Sequence, residues 1–137
     1  MIPKELFLSH ASADHRFATA VANTLRHFGV PVWYSPTHLV GSQSWHDQLG
    51  AALKRCDWFA VVLSPRSLTS MWVKRELHYA LRQTRLDDRI VPILYKPCDL
   101  DHLSWVLLSV QYVDFTPSFK QGCRDLLRIW DIDYPIS

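Results

Sequence analysis

Glycine is scarce in this 137-residue chain, with four residues in all. Gly29, Gly41, Gly50 and Gly122 stand too far apart to form GxGxxG or a phosphate loop. A dinucleotide fingerprint and an NTPase cradle are therefore excluded. Cysteine is equally sparse. Cys56, Cys98 and Cys123 are odd in number and show no CxxC spacing, which argues for reduced thiols packed as small apolar side chains. The seven histidines contain no HExxH. His10, His46 and His78 could meet only through folding, so no metal site is expected. A net charge of +2 is too small to imply a polyanion partner. The basic residues are scattered apart from a loose run at Arg82, Arg85 and Arg89, so no nucleic-acid partner is expected. No apolar run approaches membrane-spanning length, and the start "MIPKELFLSH" lacks a charged segment followed by an apolar one. The expected setting is cytoplasmic, without a membrane partner. Neither end carries a low-complexity tail, as expected of a complete chain or a domain cut cleanly from a longer one.

What the chain does have is apolar residues, 48% of the total, enough for one domain over 1–137 with its own core. Five short β-type runs recur: "ELFLS", "VPVWY", "WFAVVLS", "IVPILY" and "VQYVDF". Most are continuously apolar, the pattern of strands buried on both faces. Helical patterns lie between them. Phe17, Ala18, Val21, Ala22, Leu25 and Phe28 repeat at helical spacing, with Ser12 as expected N-cap and Gly29 as stop. Ser44 and Asp47 resemble a capping box for a second helix, whose stripe is Trp45, Leu49, Ala52, Leu53 and Cys56. A third helix is expected over Ser67–Leu81, one or two turns over Asp99–Val106, and a last helix over Ser118–Trp130. Alternating strands and helices imply parallel strands, right-handed crossovers and helices on both faces. The expected fold is an α/β five-stranded doubly wound sheet in the order 2-1-3-4-5.

Such a sheet binds ligands beyond the carboxyl ends of its strands, where the winding reverses, here between strands one and three. Strand one ends at Ser9 and His10. Strand three ends at Ser64, and "PRSLTS" leads into the helix carrying Trp72 and Glu76. A phosphate-receiving regulator shares this topology, but it needs an acidic cluster and an aspartate where Ser9, His10 and Ser64 stand. On the third helix Val73, Leu77, Ala80, Leu81 and Thr84 make the core stripe. Trp72, Glu76, Tyr79 and Gln83 form a second stripe roughly 100° around the axis. Most helix glutamates are solvated and paired with a cation three or four residues away. Glu76 has no such cation, and a carboxylate among rings suits a partly desolvated site. These residues alone leave structural and catalytic roles open for Glu76. They also leave core and site roles open for Trp45, and capping and site roles open for His10.

Four segments in order resemble a TIR domain, the Toll/interleukin-1 receptor module, of the bacterial NAD-cleaving kind. They are "LFLSHASAD", "VWYSPTHLVGSQSW", "VVLSPRSLTSMW" and "WVKREL", spread over nearly the whole chain. The resemblance implies that Glu76, closing a W-x-x-x-E pattern, is the catalytic glutamate. It also implies that Trp72 handles the nucleotide and influences cyclic product formation. Ser9 and His10 match the loop bordering the NAD pocket, Trp45 a bulky residue near the bound base, and Tyr95 a position that can stack on ligand. One departure is Ser35, where many members carry an acid.

The implied activity is cleavage of the nicotinamide–ribose bond of NAD+, giving ADP-ribose or a cyclic isomer. NAD+ serves as substrate, and no cofactor is called for. An effector or signalling role in prokaryotic defence is implied by fold-level analogy alone, with a sensor or effector domain or protein as a further partner. The loop Ser35–Gln43 places Leu39 and Val40 side by side, and burying both could contribute roughly 2–5 kcal/mol before ordering costs. They could fold back on their own domain. The resemblance points instead to head-to-tail self-association, which builds filaments rather than closed dimers. The rival reading is a non-catalytic adaptor acting by TIR–TIR association, which commonly lacks the glutamate in this context.

Overall fold

Five parallel strands pair in the order β2-β1-β3-β4-β5 in a computed structural model that describes residues 1–35 and 43–135. The strands are β1 (Leu6–Ser9), β2 (Val32–Tyr34), β3 (Trp58–Leu63), β4 (Ile90–Leu94) and β5 (Val113–Asp114). The helices are α1 (His15–His27), α2 (Gln43–Arg55), α3 (Met71–Leu81) and α4 (Phe119–Arg128). The order matches the sequence expectation, with the winding reversing between β1 and β3.

Alternation along each strand sorts the core into two layers. Leu6, Leu8, Ala60, Val62, Val91 and Ile93 face α1 and α4. Phe7, Phe59, Val61 and Leu63 face α2 and α3. Both faces being covered is why the strands read as unbroken apolar runs. Parity also aims Ser9, two residues after Phe7, at the α3 face.

Helix ends follow local chemistry, with three departures from the sequence reading. Ser12 does not cap α1. It opens a short 3-10 turn, Ser12–Asp14, and α1 begins at His15 with no side-chain cap. Asp14 is instead drawn inward to Ser64. Ser44 lies inside the first turn of α2, where its hydroxyl accepts from Gln48 Nε2, so it cannot be the N-cap. The third helical segment is divided: a 3-10 turn, Ser67–Thr69, precedes α3, whose N-cap is Ser70, with Oγ accepting from the Val73 N–H at 3.2 Å. At the end of α1, Gly29 adopts φ +89°. Its N–H reaches the Arg26 carbonyl and the Val30 N–H the Leu25 carbonyl, the Schellman pattern for which a glycine is favoured. The Asp99–Val106 expectation becomes two 3-10 turns, Leu100–His102 and Trp105–Ser109.

Gly122 in α4 is required by contact rather than by backbone angle. A Cβ there would lie 2.3 Å from Phe115 Cδ2 and 2.4 Å from Cγ. The Phe115 ring has little room to retreat, because Phe17 and Phe119 pack against it. Alanine normally gains up to about 1 kcal/mol over glycine inside a helix. Gly122→Ala is nevertheless expected to destabilise by ~1–2 kcal/mol, because overpacking outweighs that gain. Chemical denaturation measures it; a more stable variant would show that the ring moves freely.

Candidate active site

Ser70 sets the phase of α3, and that phase presses Val73, Leu77 and Ala80 onto the sheet. Glu76, three residues after Val73 and next to Leu77, is carried inward with them and is only 6% exposed. The sequence places it on a stripe beside the core; the structure draws it into the edge of the core. There the last residue of β1 meets it. Ser9 Oγ donates to Glu76 Oε1 at 2.7 Å, both side chains being buried. Among the described residues no ion pair engages Glu76. Burial pushes its carboxyl up to about 7, and the Ser9 hydrogen bond opposes that shift. A carboxyl group poised there exchanges its proton near neutrality.

Two tryptophans pack against each other beside this element. Trp45, from α2, is almost wholly buried and meets Trp72 edge-to-face, with centroids 4.6 Å apart at 89°. Its indole N–H donates to Ser35 Oγ. Ser35, the departure from the family pattern, thus anchors a ring. Trp45 belongs to the α2–α3 core and to the tryptophan pair at once, so the two readings of it are compatible. Trp72 is half-buried, with the Arg75 guanidinium 5.2 Å from its ring centroid and the His46 ring 5.5 Å away. Arg75 is thereby committed to the tryptophan and not to Glu76.

His10 and Tyr95 turn elsewhere. His10 Nε2 lies 3.3 Å from His15 Nδ1, and both rings approach Tyr34. Burial, and then His15, lower the His10 imidazole to about 4, so it is neutral at physiological pH. Tyr95 stacks on Phe17 at 4.0 Å, on the α1 side of the sheet and on the opposite face from Glu76. Strand parity explains this, since Tyr95 continues the Val91–Ile93 face. Leu39 and Val40 lie outside the described residues, as does most of the loop expected to mediate self-association.

The sequence reading missed Asp14. Its carboxylate is buried and accepts from Ser64 Oγ at 2.5 Å, just past the end of β3. Ser67 closes the arrangement by accepting from the Ser64 N–H and donating to the Ser64 carbonyl. This polar knot ties the segment after β1 to the segment after β3 at the winding reversal. Apolar periodicity cannot reveal it; the only signal was an acid following the serines of "SHASAD". Among the described residues no group of three or more His, Cys, Asp or Glu side chains could hold a metal ion. No helix among them is long and apolar enough to cross a membrane.

Comparison with known proteins identifies the family and the fold. A TIR domain family model matches residues 6–127. The chain is 32% identical over 103 residues to the 2′ cyclic ADP-D-ribose synthase AbTIR of Acinetobacter baumannii, covering 74% of this chain and 38% of that protein. It is 32% identical over 96 residues to the NAD(+) hydrolase PdTIR of Paracoccus denitrificans, covering 69% and 32%. The chain thus spans about a third of the length of these relatives. The fold is similar to that of the TIR domain of the Toll-related receptor TRR-2 from Hydra magnipapillata, with a TM-score of 0.71 at 19% identity, covering 90% of this chain and 95% of that one.

Proposed function

This chain belongs to the TIR domain family, and from that premise we propose that it cleaves NAD+ at the nicotinamide–ribose bond with Glu76 as the catalytic carboxylate. The observation that carries the reading is Glu76 itself: a buried carboxyl group at the carboxyl end of the sheet, partnered by one serine hydroxyl and by no cation among the described residues. Named relatives that hydrolyse NAD+ or make a cyclic ADP-ribose support the choice of substrate.

The chemistry needs one carboxylate. Ordinary glycosidases use two, because an alkoxide leaving group must be protonated. Nicotinamide in NAD+ is already cationic, takes the bonding electron pair from the ribose carbon, and leaves neutral. What remains is an oxocarbenium-like ribose, and a fixed negative charge in a low-dielectric setting stabilises that developing cation. Water then adds at the ribose carbon and loses a proton to solvent, giving ADP-ribose. A nucleophile within the same molecule gives a cyclic product instead. Trp72, half-buried and braced by the buried Trp45, offers apolar ring surface for a base.

The test is incubation of the purified chain with NAD+ and chromatography of the products. Absence of nicotinamide release across pH 6–9 and a wide protein concentration range overturns the reading. A second measurement separates the tryptophan from the carboxylate. Trp72→Ala is expected to keep a measurable part of nicotinamide release, about a tenth, while products move toward linear ADP-ribose, because the ring shapes the pocket and takes no part in bond breaking. The factor corresponds to roughly 1.4 kcal/mol of lost transition-state stabilisation. An unchanged product ratio at full activity reduces Trp72 to packing.

A further inference from the structure

We propose that Ser9 is a positioning residue that acts through Glu76: its hydroxyl holds one carboxylate oxygen, favours the carboxylate form and leaves the other oxygen for the substrate. The inference rests on the NAD+-cleaving reading, and it moves Ser9 from the expected role of pocket border to that of partner to the catalytic group.

The geometry is specific. Ser9 ends β1, and its parity with Phe7 turns Oγ toward α3. Ser9 is 1% exposed and Glu76 6%, and the hydrogen bond between them spans 67 residues of sequence. A serine hydroxyl carries a single proton. Donated to Oε1, that proton is unavailable to any ligand, so Ser9 cannot be a donor to substrate and to Glu76 at once. A neutral carboxyl group has less need of a donor than a carboxylate, so the bond selects the ionised form.

The charged and titratable groups on the neighbouring segments have commitments of their own. On α3, Arg75 lies over Trp72; on α2, His46 meets the edges of Trp45 and Trp72. After β1, His10 turns to His15, and Asp14 is taken by Ser64. Among the described residues, burial and the Ser9 hydroxyl are what set its titration. Removing the hydroxyl leaves burial unopposed.

The experiment follows the Glu76 carboxyl carbon by NMR from pH 4 to 10 in protein labelled at glutamate, with Glu76→Gln identifying the signal. The wild-type midpoint is expected near 7. In Ser9→Ala it is expected to rise by about one pH unit, the size of a charge-assisted hydrogen bond to a carboxylate. Nicotinamide release by Ser9→Ala should then fall about fivefold at pH 7 and recover to within about twofold of wild type at pH 9, the ionised fraction being the cause. Ser9→Thr keeps the donor and is expected to restore both the midpoint and the neutral-pH rate. If the alanine variant does not fold, Ser9→Cys, a weak donor of similar size, should show a smaller upward shift. An unmoved midpoint in the folded variant overturns the proposal. A raised midpoint in a chain that releases no nicotinamide upholds the role of Ser9 toward Glu76 while removing NAD+ cleavage from the reading, so the two failures are distinguishable.

Discussion

Glu76→Gln is expected to lower nicotinamide release by roughly a thousandfold while the protein stays folded. Removing one preorganised electrostatic group from a transition state costs about 10²–10³ in turnover, and on the proposed reading the group removed carries the negative charge that faces an oxocarbenium-like ribose. Gln keeps the size and an acceptor oxygen for the Ser9 hydroxyl, so the 2.7 Å contact can survive. The loss should appear in kcat more than in KM, since the charge is needed most in the transition state. In the wild type the same carboxylate requires turnover to rise with pH through about 7. Turnover within tenfold of wild type in a folded Gln variant would sink the catalytic assignment.

The second large effect is on stability, and it runs opposite to activity. Burial raises the Glu76 carboxyl from 4.5 in the unfolded chain to about 7 in the folded one. The folded state therefore favours the protonated form. The associated stability is fully present below pH 4.5 and is lost as pH rises through 7. Wild type should lose on the order of 3 kcal/mol relative to Glu76→Gln between pH 4 and pH 8, the shift converted at 1.36 kcal/mol per pH unit. For a chain of this size that is a relative change in Tm of roughly 10 °C. Melts of both proteins at the two pH values measure the difference, which isolates Glu76 because other titrating groups are common to both. Parallel pH profiles would mean that Glu76 is solvated and has an ordinary acidity. A positive result places Glu76 among residues kept at a cost to the fold, as expected of a group selected for chemistry.

His10 titrates in the opposite sense, lowered to about 4 by burial and by His15. Its contribution is present above 6.5 and is lost as pH falls through 4. Melts compared at the same pH in wild type and in Glu76→Gln keep the two effects apart, since His10 is unchanged between them.

The order of the sheet was legible because it depends on one-dimensional features. Apolar runs bounded by turns announce strands buried on both faces, and strands alternating with helical stripes leave few topologies open. The position of the reversal, and so the neighbourhood of Ser9, Ser64 and Glu76, followed from that order. Capping was less legible. Ser12, Ser44 and Ser70 are all plausible caps by residue type, and of the three only Ser70 has its hydroxyl accepting from a backbone N–H of the first turn. The choice was made by what else each segment had to satisfy, such as the pull of Asp14 toward Ser64.

By itself the sequence determined the strand order, the family, and the pairing of Trp72 with Glu76 on one helix, because periodicity and short motifs are local properties of the chain. Tertiary structure decided which of the expected site residues meet. Ser9 and Glu76 lie 67 positions apart and form one hydrogen bond, whereas Tyr95 is turned by strand parity to the opposite face. The acidity of Glu76 was likewise decided in three dimensions. A carboxyl group's pKa is set by the water removed from it and the donors brought to it, and residues distant in sequence control both.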